Sequence, residues 1–250
     1  MSEPFAESQT VPLAEGAETF GAQLLEMEKA IDAGAYQPGP WDRFIRAARN
    51  QPPAVRLALA EDAGRVSRKL HLRNGRATMP LERAILWESS ATIIGAILLG
   101  AGVAWRSNVL ALLGALTWTT TYQPLFKVAV GTALGMSFDY AYLEGSFEPR
   151  FKITYGTYLA RPRWARILFH LSGIVGSPLG IYLASVLMAP NLPTSAKVCD
   201  VIFWIFNAVN LLALVGGTMG RRKLGPVRVA ISSGGVAGAE LHDAFTIARG

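Results

Sequence analysis

Six of the polar side chains within the apolar stretches of this chain are of types that can move protons or hold ions. They are Glu88, Gln123, Lys127, His170, Asn207 and Asn210. A charged side chain at the centre of a bilayer costs roughly 2.5–3.5 kcal/mol on insertion scales, so such residues usually mark a functional site. Carboxylate, amine and imidazole groups are also the usual general acids and bases. The six residues therefore form the candidate polar site.

Lys127 is the least expected of the six, because Gln123 and Pro124 lie within about one and a half helical turns of it. A proline inside a helix costs about 3 kcal/mol in water. A segment with both features requires shielding by neighbouring helices. We predict an ion pair between Glu88 and Lys127, which carry opposite charges at similar estimated depths. In the alternative, Glu88 lies at headgroup level and the Lys127 side chain extends to the interface.

No familiar catalytic or metal-binding spacing accompanies these residues. The three histidines, His71, His170 and His242, are far apart in the sequence, and Cys199 is the single cysteine. A metal site requires several such ligands close together. The sequence also lacks a Gly-x-Ser-x-Gly element and a Gly-Lys-Ser/Thr phosphate loop. We therefore expect no catalytic residue, no metal and no cofactor.

Four long apolar stretches must position the polar residues. They lie at 84–105, 108–137, 167–188 and 198–219. About 20 apolar residues are enough to cross the hydrocarbon core of a bilayer. Charged residues make up 17% of the chain, against about 25% in a typical soluble domain. The sequence therefore predicts a mainly α-helical membrane protein with about four transmembrane helices, because a soluble protein would have too little polar surface to enclose them.

Glycines within these stretches are expected to let neighbouring helices approach closely. They are Gly95, Gly100 and Gly102 in the first stretch, Gly131 and Gly135 in the second, and Gly173, Gly176 and Gly180 in the third. Packing is the more common use of such residues, so they are not counted among the site residues.

The distribution of Lys and Arg predicts the orientation in the membrane. Ten of them lie between Asp42 and Arg83, five in 138–166 and four in 221–228, whereas Arg106 and Lys197 stand alone in the other two links. Positively charged loops face the cytoplasm. We therefore expect a multi-pass protein of a bacterial inner membrane with both termini and the loop 138–166 inside. The net charge of +6 follows from this topology, so the expected partners include membrane lipids but no nucleic acid.

The chain divides into three predicted regions. Residues 1–83 are expected to form a cytoplasmic, partly disordered helical region, 84–220 the transmembrane domain and 221–250 a cytoplasmic tail. Aromatic, β-prone residues in 138–166 predict a short β-hairpin at the cytoplasmic face of the membrane. The basic helix expected at 54–72 has two interpretations. It belongs to a small helical unit, or it rests on anionic lipid headgroups.

Four features of the membrane domain occur in an order that is known from one protein family. They are Gln123-Pro124-Leu125-Phe126-Lys127 ahead of Gly135, the aromatic loop 140–159, Gly176-Ser177-Pro178-Leu179, and the segment from Asn207 to Gly217. Together they resemble the core of the site-2 protease family of intramembrane zinc metalloproteases, over about residues 84–220. In that family the first feature is His-Glu-x-x-His, the second is a cytoplasmic β-hairpin, and the last ends in Asp-Gly.

The residues that this family needs for hydrolysis are replaced in the chain. Gln123 and Lys127 stand at the positions of the two histidines, Pro124 at that of the catalytic glutamate, and Val215 at that of the third zinc ligand. Metal-assisted hydrolysis requires both the ligands and a base. The resemblance therefore implies a non-catalytic relative that binds a partner segment or lipid. The alternative is a membrane enzyme or transporter that uses Glu88, Lys127 and His170.

Overall fold

A computed structural model describes residues 13–143, 149–221 and 233–247. The described chain is mainly helical and contains one small sheet, which confirms the predicted fold class at its coarser level. It folds as two compact units, residues 1–75 with 154–162 and residues 76–153 with 163–250.

The first unit is built from short helices. They are α1 (Leu13–Asp32), α2 (Pro40–Ala48), α3 (Pro53–Ala58), α4 (Ala60–Arg73) and α7 (Tyr155–Ala160). Pro40 and Pro53 each lie in the first turn of a helix, where a missing N–H group costs nothing. Phe44 and Ala48 are four residues apart and form the buried face of α2. The helix predicted at 54–72 is divided at Leu59, whose side chain is buried.

Helix α7 corrects the prediction for the loop 138–166. The hairpin ends at Ile153, and Tyr155–Ala160 is helical. This helix buries Tyr158 and Leu159 in the first unit, where a Cβ atom at Gly156 would collide with the carbonyl of Ala60. Close packing on α4 therefore overrides the strand preference of the aromatic residues.

The basic residues of α4 have partners within the first unit. The Arg65 guanidinium donates to both carboxylate oxygens of Glu28 at 2.9 and 3.0 Å. Lys69 donates to Asp32 at 2.7 Å and lies 2.9 Å from Glu28. These contacts favour the interpretation of the basic helix as part of a small helical unit, because two of the cations that would meet lipid headgroups are already paired.

The second unit contains the long apolar helices. They are α5 (Leu81–Ala104), α6 (Asn108–Ala133), α8 (Arg163–Met188) and α9 (Pro193–Thr218). By length and hydropathy α5, α8 and α9 are able to cross a membrane. Helix α6 is as long as α8, but threonines, Gln123 and Lys127 make it more polar. The described residues thus contain three candidate spans, where the sequence predicts four.

Small residues bring α5 and α6 into close contact. A Cβ atom at Gly95 would lie 2.6 Å from the backbone nitrogen of Trp118, and one at Gly102 would collide with the backbone of Ala111. The predicted packing role is confirmed for these two glycines. Gly100 differs, because a Cβ atom there would meet nothing within 4 Å.

The sheet contains three antiparallel strands in the order β1-β2-β3. They are β1 (Thr78–Met79), β2 (Phe138–Leu143) and β3 (Pro149–Ile153). In the predicted hairpin, Tyr140 pairs with Lys152 and Tyr142 with Arg150, while residues 144–148 lie outside the described residues. Strand β1, which the sequence analysis did not predict, pairs with the other side of β2 and leaves β3 at the edge.

The segment 221–250 contains a helix that belongs to the second unit. Helix α10 (Ser233–Ile247) packs against α8 and α9. The sequence predicted a separate cytoplasmic tail here, rich in glycine and serine around residue 235 and with a weak helix at 239–248. These glycines are instead the residues through which α10 contacts α9.

Candidate functional site

Lys127 lies at the junction of α6, α8 and α10. Its ammonium group donates to the hydroxyl of Ser233 at 3.0 Å and lies 4.9 Å from the centre of the Phe169 ring. The ion pair with Glu88 that the sequence predicts is not among these contacts, and it stays a prediction. Glu88 is buried on α5. The partner of Lys127 comes from α10, a helix that the sequence analysis did not place in the bundle.

Gln123 lies one turn before Lys127 on the same face of α6. Its side-chain amide donates to the carbonyl of Gly173 on α8 at 3.4 Å. A Cβ atom at Gly176 would lie 2.9 Å from the Gln123 side chain, so the two helices are close at this level. Gln123 and Lys127 therefore both contact α8 and hold α6 beside it.

Asn210 replaces a backbone donor that a proline removes. Pro178 lies inside α8 and has no N–H group for the carbonyl of Ile174, four residues earlier. The Asn210 side chain on α9 donates to this carbonyl at 3.1 Å. Asn207 donates within α9, to the carbonyl of Phe203 at 2.8 Å. Both asparagines thus make hydrogen bonds that support helices.

His170 lies on α8 directly after Phe169, and the two rings are in edge contact with centroids 5.2 Å apart. Five of the six predicted residues therefore take part in separate contacts. Gln123, Lys127 and Asn210 meet α8, and His170 lies on α8 itself. Val215, which stands at the third ligand position, is 44% exposed on α9.

A buried ion pair that the sequence analysis missed joins α8 to α10. The Arg166 guanidinium donates to both oxygens of the Glu240 carboxylate, each at 3.0 Å, and both side chains are fully buried. Arg163, one turn earlier, lies 4.0 Å from the same carboxylate. Two parallel charge-assisted bonds fix orientation as well as distance. The one sequence signal was an acidic residue within the small apolar run from Val236 to Leu241.

Small polar contacts also join the helices far from Lys127. Ser195 at the start of α9 donates to Asn108 at the start of α6, at 2.6 Å. Ser185 on α8 donates to Asp200 on α9 at 2.5 Å. Hydrogen bonds between helices are a common stabilising contact in membrane bundles. They support the assembly of the second unit.

Lys152, on strand β3 of the hairpin, has a shifted pKa. Burial lowers the pKa of Lys152 to about 8, and the negative charge of Asp139 opposes this shift. The β3 strand therefore loses positive charge just above neutral pH. A second cation, Arg76, lies over the ring of Tyr142 on the neighbouring strand, 5.2 Å from its centre.

The residues at the protease motif positions do not fit a zinc ion. An ammonium group has no free electron pair, and a valine has no donor atom. Within the part of the chain that the structure describes, no three His, Cys, Asp or Glu side chains form a group that could hold a metal ion. The described contacts of Gln123 and Lys127 join helices to one another.

The fold and these contacts define a mainly helical protein with candidate membrane spans. Comparison of the chain with protein-family models, with curated proteins and with solved structures finds no match in any of the three. The resemblance to the site-2 protease family therefore rests on the sequence motifs and stays a prediction.

Proposed function

We propose that the chain is a non-catalytic, site-2 protease-like protein of a bacterial inner membrane that captures an extended partner segment at its hairpin. The non-catalytic assignment is supported by the hydrogen bonds of Gln123 and Lys127. Both residues stand at motif positions, and both donate to a neighbouring helix. A residue committed to such contacts is poorly suited to bind a metal or move a proton.

The proposed membrane domain has four spans, with α6 as the fourth. Its 26 residues extend over about 39 Å at 1.5 Å per residue, which exceeds a hydrocarbon core of about 30 Å. It packs along α5 and α8, which are both candidate spans. Three of the polar side chains that lower its hydropathy, those of Thr121, Gln123 and Lys127, bond neighbouring side chains or carbonyls, so these three need not face lipid.

Lipid is the proposed surrounding of the exposed apolar faces. On α9 the side chains of Val201, Trp204 and Leu211 are 59–69% exposed. A contiguous apolar surface of this kind is unfavourable in water. The Lys and Arg distribution then supports an orientation with both termini and the hairpin on the cytoplasmic side.

Strand β3 is the proposed site of partner capture. It pairs with β2 on one side, and no other described strand pairs with it. An edge strand offers a row of backbone donors and acceptors to which an extended segment can add. Arg150 is exposed on this strand, so a probe there would report contact without removing a buried side chain.

The experiment places a photocrosslinking amino acid at Arg150 in cells, with Arg106 and Asn191 as exposed control positions in other links. Crosslinks to a partner segment should form from position 150 and not from the controls. Crosslinks from all three positions, or none from position 150, would contradict the proposal.

Two proline variants then test whether the contact is strand pairing. Neighbouring N–H groups point to opposite sides of a strand. Of Phe151→Pro and Lys152→Pro, one removes a donor on the free edge and the other a donor facing β2. One of the two should therefore abolish the crosslink in a protein that retains its sheet. Equal crosslinking by both folded variants would exclude backbone pairing.

A further inference from the structure

Two groups that donate hydrogen bonds meet at the junction of α6, α8 and α10. The ammonium group of Lys127 donates to the Ser233 hydroxyl at 3.0 Å. A hydroxyl that accepts one hydrogen bond can still donate its own O–H, and an ammonium group has three N–H donors. Both side chains are partly exposed. The junction can therefore offer donors from two neighbouring atoms to a group that approaches from outside the bundle.

Gly173 on α8 leaves room for both groups. A Cβ atom there would lie 2.5 Å from the Ser233 hydroxyl oxygen and 3.5 Å from Cδ of Lys127. A side chain at this position would therefore displace the hydroxyl. The Phe169 ring, one turn earlier on α8, lies 4.9 Å from the ammonium nitrogen, a distance at which a ring attracts a cation. The α8 backbone and this ring thus fix where the ammonium group lies.

The helices at this junction supply positive charge and little negative charge. The described contacts of the ammonium group are a hydroxyl and an aromatic ring, and neither is charged. Neither α6 nor α8 contains an acidic residue. On α10 the first acidic residue is Glu240, two turns after Ser233, where it holds Arg166. The positive charge of Arg150 on β3 also acts on Lys127. A buried cation is unfavourable without an opposite charge, so the junction favours an anion.

The chain that leads to Ser233 adds positive charge in the sequence. Residues 221–232 contain no Asp or Glu, and their basic residues are Arg221, Arg222, Lys223 and Arg228. A basic cluster next to a membrane-spanning helix attracts anionic lipid headgroups. The anion that this part of the chain favours is therefore one that a membrane surface supplies.

The depth of Lys127 agrees with a phosphate group at that surface. Helix α6 is about 39 Å long, about 9 Å longer than a hydrocarbon core. Its last residue, Ala133, is about 9 Å further along the axis than Lys127. A centred helix thus places the Lys127 backbone about 4–5 Å inside the cytoplasmic boundary. A lysine side chain spans such a distance and keeps its charge near the headgroups.

We infer that the junction of Lys127, Ser233 and Gly173 binds the phosphate group of an anionic phospholipid from the cytoplasmic leaflet. The ammonium group supplies the charge and a donor, the hydroxyl supplies a second donor, and the glycine leaves the space. The inference rests on the membrane placement in the proposed function, but not on capture at β3. Crosslinks from position 150 report that capture separately, so the failure of either proposal is seen by itself.

The test counts phosphatidylglycerol molecules bound to the purified full-length protein, released from detergent micelles for native mass spectrometry. Lys127→Met removes the charge and keeps the length of the side chain, so it should weaken binding of the first lipid at least about tenfold. Ser233→Ala should weaken it in the same direction, and Lys127→Arg should retain most of it. Lys197→Met removes an exposed cation on α9 and is the matched control, with no change expected.

Inorganic phosphate distinguishes a lipid from the free ion. Lipid that stays bound when phosphate is added supports the inference, whereas displacement of the lipid would overturn it in favour of the free ion.

Helix content and elution as a single species are measured for each variant, and Ser233→Ala decides the outcome if Lys127→Met does not fold. Equal lipid binding by the wild-type protein and the folded variants at 127 and 233 would overturn the inference, as would an equal loss in Lys197→Met. Tighter binding by Glu88→Gln would overturn it as well, since that result would show that this carboxylate already neutralises Lys127.

Discussion

At the scale of single residues, Pro178 and Asn210 form a pair in which a side chain completes a backbone hydrogen bond. The proline leaves the Ile174 carbonyl without its usual donor, and the amide of Asn210 reaches it from the next helix. The asparagine that suggested a functional site in the sequence is thus explained by a proline 32 positions earlier, at residue 178. Neither residue alone reveals the other, because their contact depends on how α8 and α9 pack.

We predict that Asn210→Leu lowers the stability of the protein by about 0.5–1.5 kcal/mol, the range of hydrogen bonds between membrane helices. The same substitution should cost less in a Pro178→Ala background, because an alanine at 178 supplies the missing N–H group. Unfolding in mixed micelles with increasing denaturing detergent measures both values. Asn210→Leu could also lower the stability equally in the two backgrounds. That result would show that the loss does not come from the hydrogen bond to the Ile174 carbonyl.

Glu28 provides a second prediction at this scale. The hydrogen bonds from Arg65 and Lys69 hold the pKa of Glu28 at about 2, below its ordinary value of 4.5. A carboxylate with a lowered pKa stabilises the folded state above its ordinary pKa, and the contribution is lost as the pH falls towards 2. Arg65 is 46% exposed, so screening limits the effect to about 1 kcal/mol or less.

The expected result is that the protection of the α1 amides against hydrogen exchange falls as the pH is lowered from 6 to 3. Protection is the observed rate corrected for the intrinsic pH dependence of exchange. Glu28→Gln should remove most of this additional dependence. Glu26→Gln changes the same charge at an exposed position of the same helix and serves as the control. Identical pH profiles for the two variants would contradict the role assigned to Glu28.

At the scale of elements, close helix packing depends on which face a glycine occupies. Gly114 lies on α6 where a Cβ atom would collide with the backbone of Leu99, whereas Gly100 on α5 faces open space. We predict that Gly114→Ala destabilises the bundle by about 1–3 kcal/mol, the usual cost of overpacking. Gly100→Ala should be neutral or stabilising, since alanine favours a helix. Thermal unfolding in detergent measures both, and equal effects would refute the packing assigned to α5 and α6.

The elements that were predicted from the sequence are those with a strong local pattern. The apolar helices follow from long hydrophobic runs, and the hairpin follows from aromatic residues near Phe138–Ile153. Helix α7 was missed because Tyr155 and Tyr158 favour strands, and their burial in the first unit depends on contacts distant in sequence. Helix α10 was missed as a packed element because its glycines, which favour no regular structure locally, serve the approach of another helix.

The candidate site was predicted less well than the fold. Its residues were chosen by their polarity and their estimated depth in the membrane. These two properties identify groups that are unfavourable in lipid, but they do not identify the partners of those groups. Lys127 was paired with Glu88 because the charges are opposite, yet its partner is the neutral Ser233, 106 positions away. Arg166 and Glu240 lie 74 positions apart, so no local spacing relates them. Polar contacts between helices are fixed by the rotation of each helix about its axis, and apolar composition alone does not determine it.

At the scale of the whole molecule, the chain forms one unit of short helices with internal ion pairs and one unit of long apolar helices. In the first unit Glu28 and Asp32 of α1 are paired with Arg65 and Lys69 of α4. In the second, polar residues join helices to one another, and large apolar side chains cover exposed faces of α5 and α9. This contrast is expected if water surrounds one unit and lipid surrounds the other.

The proposed topology requires α6 to cross the membrane together with α5, α8 and α9. The most direct measurement is labelling of single cysteines by an impermeant maleimide in spheroplasts, in a Cys199→Ala background that removes the native thiol. Arg106→Cys and Ser137→Cys lie just beyond the two ends of α6 and are both exposed. We expect labelling of position 106 in intact spheroplasts and labelling of position 137 only after lysis. Labelling of both positions from the outside would contradict it.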